Sequence, residues 1–105
     1  MDIQVNFDDK SNKIMVDIVG DLDLNSVGHF KRELDEAIDQ YETDIVIECK
    51  ELRYIDSTGL GVLVSVLKKV KEYDGTIAIN CLKPYLFKIF DVTGLTNVFE
   101  IEVAQ

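Results

Sequence analysis

Proline occurs once in this sequence, at position 84, and glycine six times. That is too little of either for a disordered segment or a flexible linker. Histidine also occurs once, and the two cysteines, Cys49 and Cys81, lie far apart with no CxxC spacing. A zinc site would need ligands that the sequence does not cluster. Each cysteine sits in an apolar run ("IVIEC", "TIAINC") and reads as a small hydrophobe at a strand end, reduced as in a cytosolic chain. Positive charge is scarce: 11 Lys and Arg against 20 Asp and Glu, a net charge of −9. Phosphate contacts require clusters of Lys and Arg, so this balance disfavours nucleic acid and anionic membranes. It leaves room for a basic protein partner. No apolar run approaches the ~18 residues that span a bilayer. The N-terminus "MDIQVNFDD" is acidic and alternating, unlike a signal peptide. The expected location is the cytoplasm, and nothing in the composition calls for a cofactor.

Apolar residues make up 47% of the 105, enough for one domain spanning residues 1–105 with a core of its own. "IQVNF" (3–7) alternates as a half-buried strand, "DDKSN" is turn-rich, and "KIMVDIV" (13–19) is a second strand. The short connection makes the pair an antiparallel hairpin. "GDLDLNS" breaks the pattern. From Val27, apolar residues recur at Phe30, Leu34, Ile38 and Tyr41 with helical spacing, and Asn25 or Ser26 can cap that helix. "DIVIEC" (44–49) reads as an interior strand covered on both faces. The apolar pattern of "LGVLVSVL" continues through Val70 to Tyr73, so it is a helix. Lysines 68, 69 and 71 close it and Gly75 can end it. "TIAIN" (76–80) is the next strand. A third helix begins at Pro84, buries Leu86, Phe87 and Phe90, and stops near Gly94. "NVFEIEV" is a last strand. The order β-β-α-β-α-β-α-β gives an α/β fold: a mostly parallel sheet with an N-terminal hairpin and helices.

In such sheets, sites form where strands end and helices begin. Two junctions stand out: "GDLDLN" (20–25) and "YIDSTGLG" (54–61). Nucleophilic catalysis by Ser57 would need a general base, and the one histidine, His29, lies on the first helix. The Gly-x-Ser-x-Gly elbow is absent. "STGLG" at a helix start resembles a phosphate cradle. It is not a P-loop or a GxGxxG motif, however, and Asp56, Asp21 and Asp23 would repel a free nucleotide. Asp56 or Ser57 can cap the helix by accepting the unpaired N–H groups of its first turn. That leaves the two glycines unexplained, each costing up to about 1 kcal/mol against alanine. Small residues there would let another protein's backbone approach. On a helical wheel, Leu60, Leu63, Val64, Leu67 and Val70 share the inner face. Val62 and Ser65 fall outside, with Gly61 and Lys69 close by; an outward Val62 reads either as ordinary surface scatter or as part of a docking patch beside Ser57.

"YIDSTGLGVLV" resembles the signature of bacterial anti-sigma factor antagonists, the STAS-domain family. "GDLD" (20–23) resembles that family's other marker, and "LFKIFDVTGLTNVFEI" (86–101) its C-terminal segment. The resemblance implies a regulatory protein without catalytic activity. An anti-sigma factor with serine kinase activity phosphorylates the serine after the aspartate, here Ser57. The unphosphorylated form binds that anti-sigma factor and frees the sigma factor, and a serine phosphatase resets the switch. The partner surface it implies uses Asp21 and Asp23, with Asn25 beside them, and Asp56, Ser57, Thr58, Gly59, Leu60 and Gly61. Val62 adjoins these. Thr58 is the less favoured acceptor. The alternative reading is a STAS-like adaptor or scaffold module that is not phosphorylated.

Overall fold

The computed structural model describes residues 1–105. Its elements run β1 (Asp2–Asp8), β2 (Lys13–Leu22), α1 (Val27–Tyr41), β3 (Asp44–Ile55), α2 (Ser57–Lys71), β4 (Ile77–Leu82), α3 (Pro84–Val92), a 3₁₀ turn (Leu95–Asn97) and β5 (Glu100–Val103). The strands form one sheet in the order β1-β2-β3-β4-β5. β1 and β2 are antiparallel; the other neighbours are parallel. Their hairpin turns through Asn12, which holds a left-handed φ of 57°. No helix is long and apolar enough to cross a membrane.

Each helix carries the chain from one strand to the adjacent one, and right-handed crossovers in a single direction place all three helices on one face. The core shows this. A single cluster joins Ile14, Val16 and Ile18 of β2 and Ile45 and Ile47 of β3 to Phe30 and Leu34 of α1, Leu63 and Val66 of α2 and Phe90 of α3. The opposite face of the sheet has no helix. The sequence reading of β3 as covered on both faces is therefore corrected. Val46, only 8% exposed, lies on the open face, flanked in register by Met15 and Ala78. Neighbouring strands, not a helix, shield it.

β2 and β3 are both longer than the apolar runs suggested. Leu22, Leu52 and Ile55 are 0%, 1% and 2% exposed, so the strands continue through the polar letters between them. Asp21 pairs with Tyr54 and Leu22 with Ile55 in register. The 3₁₀ turn before β5 was not anticipated. α2 is rotated relative to the helical wheel: Gly59, Leu63, Val66, Leu67 and Val70 are buried. Leu60 and Val62 flank that face, half-buried and packed against the core. Val62 is thus not the outward residue; among the apolar side chains of α2, Val64 is the one outside the core cluster.

Helix ends also differ in detail. Ser26 precedes α1 but makes no capping bond. Gly75 does not take the left-handed conformation that ends α2; Asp74 does, at φ 63°, and the Gly75 N–H donates to Val70 O at 3.0 Å. Cys49 is buried, and burial pushes its thiol up to about 12. Cys81 is instead half-exposed, its Sγ 3.8 Å from Glu102 Oε1.

Candidate functional site

The carboxyl ends of β2, β3 and β4 lie side by side, and the chain leaves each of them into a helix. The middle junction is one residue long. Asp56, with extended backbone (φ −103°, ψ −175°), is the N-cap of α2. Its Oδ1 accepts from Gly59 N at 2.9 Å and from the Thr58 hydroxyl at 2.5 Å. Its Oδ2 accepts from Leu24 N at 3.2 Å, across 32 residues of sequence. Asp56 N in turn donates to Leu22 O at 3.3 Å. One carboxylate therefore caps a helix and fastens the β2–α1 loop to it. The Thr58 hydroxyl above all, then the backbone N–H groups of Gly59 and Leu24, hold its pKa below the ordinary aspartate value. These donors favour the ionised form, and slight desolvation opposes them only in part.

Ser57 is the first residue of α2, exposed. Its hydroxyl has no hydrogen-bond partner, whereas that of Thr58 is committed to Asp56. No histidine bonds to Ser57, and His29 is an exposed residue of α1. The geometry offers an accessible hydroxyl at the positive end of a 15-residue helix, with no base to activate it. Such a group can receive a phosphoryl group from another protein's active site. Attack by Ser57 itself would need a general base within hydrogen-bond reach.

The loop before α1 is folded on itself. Asp23 Oδ1 accepts from Asn25 N at 3.0 Å. The Ser26 hydroxyl donates to Asp21 O at 2.8 Å and accepts from Asp23 N at 3.0 Å. This hydroxyl closes the loop, which is why it does not cap the helix. Asn25 does not cap either; it is exposed. Asp21 turns toward Arg53, its Oδ1 3.7 Å from Nε. The structure thus brings residues 21–25 and 56–61 to one end of the molecule, joined through Leu24 and Asp56.

The two glycines separate. A Cβ on Gly59 would stand 2.4 Å from Leu22 O and 2.8 Å from Ile55 Cγ1. Gly59 is required by the close approach of α2 to the end of β2. A Cβ on Gly61 would meet nothing within 4 Å. Leu24, Tyr54 and Tyr85, exposed by 71%, 51% and 57%, lie at this same end and were not singled out from the sequence. In "GDLDLN" Leu24 merely continues an alternation, and nothing local says that the strand has ended before it.

A STAS domain family model matches residues 3–104. The anti-sigma-B factor antagonist of Bacillus subtilis (strain 168) is 36% identical over 101 residues, 96% of this chain and 92% of that protein. A putative anti-sigma factor antagonist from Thermotoga maritima has the same fold, with TM-score 0.84 at 22% identity, over 94% of this chain and 84% of that one. The Bacillus cell fate determinant SpoIIAA, solved in its phosphorylated form, gives TM-score 0.75 at 20% identity over 97% and 92% of the two chains.

Proposed function

The chain belongs to the STAS domain family, and from that premise we propose that it is an anti-sigma factor antagonist switched by phosphorylation of Ser57. In this reading one domain, residues 1–105, works in the cytoplasm and catalyses nothing itself. Unphosphorylated, it binds an anti-sigma factor that is also a serine kinase, and the sigma factor is freed. The kinase transfers the γ-phosphoryl group of ATP. The Ser57 Oγ–P bond forms, the bond to the β-phosphate oxygen breaks, ADP leaves, and a base of the kinase takes the hydroxyl proton. A serine phosphatase hydrolyses the ester and restores binding.

The observation that carries this reading is the contrast between the adjacent hydroxyls. Ser57 is exposed and unbonded; Thr58 donates to Asp56 at 2.5 Å. Curated relatives named as anti-sigma factor antagonists support the partner class. The partner-facing residues in this proposal are Asp21, Asp23, Asn25, Asp56, Ser57, Thr58 and Gly61. Gly59, Leu60 and Val62 shape the helix beneath them.

Mass spectrometry of the chain incubated with ATP and the candidate anti-sigma kinases of its own genome tests the assignment. One phosphate is expected, on Ser57, and none on Ser57→Ala, which still binds the kinase. Full phosphorylation of Ser57→Ala, or of no chain by any kinase, overturns the reading.

A further inference from the structure

We propose that Leu24 and Tyr85 are the paired apolar anchors of the kinase-type partner, one on each side of Ser57. This inference rests on the antagonist reading. A kinase that phosphorylates Ser57 must cover the N-terminus of α2. A specific interface buries roughly 800 Å² per partner, about one-seventh of this chain's 5961 Å². Such a patch is roughly 30 Å across, as wide as the molecule itself at 32 × 27 × 23 Å. Whatever is exposed near Ser57 at the carboxyl end of the sheet lies beneath the partner.

Sheet order decides what that is. Ser57 follows β3, the middle strand; Leu24 follows β2 on one side, and Tyr85 follows β4 on the other. Both are held in place. The Leu24 N–H donates to Asp56 at 3.2 Å, and the Tyr85 hydroxyl donates to Arg53 O. The second bond also meets an otherwise open edge, because β3 pairs with β4 only as far as Glu48. Yet Leu24 is 71% exposed and Tyr85 57%. A fixed backbone and a tethered ring lose little freedom on binding, which is what makes an exposed apolar group a good anchor. The carboxylates Asp21, Asp23 and Asp56 between and beside them fit a partner with a basic rim around two apolar pockets.

The test is the affinity of variants for the kinase that phosphorylates the wild-type chain, measured by calorimetry with ADP bound. Leu24→Ala and Tyr85→Ala should each weaken binding about tenfold or more. Tyr85→Phe, which keeps the ring, should stay within about threefold. Val92→Ala is the control: Val92 is 72% exposed but ends α3 at the far side of the molecule, and it should bind as wild type. Leu24→Ala should melt with the wild type, so its loss reads as binding. Wild-type affinity in both Leu24→Ala and Tyr85→Ala overturns the anchors while leaving the phosphorylation switch standing. An equal loss in Val92→Ala overturns them too. A wild-type chain that neither binds nor is phosphorylated removes the parent reading, and this one with it.

Discussion

Gly59 and Gly61 stand two residues apart in the first turns of α2, and they answer to different causes. Alanine at 59 would drive its Cβ to 2.4 Å from a backbone carbonyl. Backbone cannot swing away as a flexible side chain can, so α2 would have to lift from β2, at a cost of about 1–3 kcal/mol or more. Alanine at 61 enters open space and removes glycine's helix penalty, a gain of up to about 1 kcal/mol. We therefore expect Gly61→Ala to raise the melting temperature and at the same time weaken kinase binding, while Gly59→Ala lowers both. Thermal melts paired with calorimetry check this. A Gly61→Ala variant that is more stable and binds as wild type would show that the partner does not approach there. From sequence the two glycines look alike, because their difference lies in Leu22, more than thirty residues away. The cap of α2, by contrast, was legible as a choice between Asp56 and Ser57, since helix capping is local chemistry, and the structure gives it to Asp56.

At the scale of elements, local signals were sound and their ends were not. Pro84, the closing lysines and the 3.6-residue periodicity of α1 placed the helices. The strands ran past their apolar runs because register with a neighbour, not composition, decides where pairing stops: Asp21 is a strand residue because Tyr54 lies opposite. The rotation of α2 has the same origin. Val64 and Val66 are chemically identical, and only the packing of α1 beside α2, through Lys69 with Asp35 and Asp39, shows which one faces in. The clasp between the β2–α1 loop and α2 is likewise invisible in sequence, and it has a pH signature. Asp56 titrates below the ordinary aspartate value, chiefly through the Thr58 hydroxyl. A carboxylate with a depressed folded pKa contributes its stabilisation above the unfolded value and loses it as pH falls through the folded one. The Leu24 and Gly59 amides should thus stay protected from exchange at neutral pH and lose protection only below the usual carboxylate range. In Asp56→Ala they should be open at every pH. Protection unchanged by that substitution would mean that the carboxylate does not hold the loop.

For the molecule as a whole, the proposed switch needs no refolding. The starting charge is −9, and a phosphoserine adds about −1.5 to −2 more. Within the chain that charge falls at the N-terminus of α2, where the helix dipole and free N–H groups tolerate an anion. The new oxygens enter solvent, because Ser57 is exposed and its hydroxyl has no bond to lose. Across an interface the balance reverses: the partner's groups facing Ser57 lose a small hydroxyl and meet a bulky dianion. Contacts made poor in this way can cost several kcal/mol, and about 2.7 kcal/mol already means a hundredfold in affinity. Phosphorylated and unphosphorylated chains should therefore give superimposable far-ultraviolet circular dichroism and similar melting temperatures, while kinase affinity falls at least a hundredfold. Because the surface is acidic around Asp21, Asp23 and Asp56, association of the unphosphorylated form should also slow as salt shortens the screening length. Stopped-flow association between roughly 30 and 300 mM salt, where that length falls from about 18 to about 6 Å, measures this directly. A large spectral change on phosphorylation would replace blocking by a conformational mechanism, and a rate indifferent to salt would deny the basic partner that the charge balance allows.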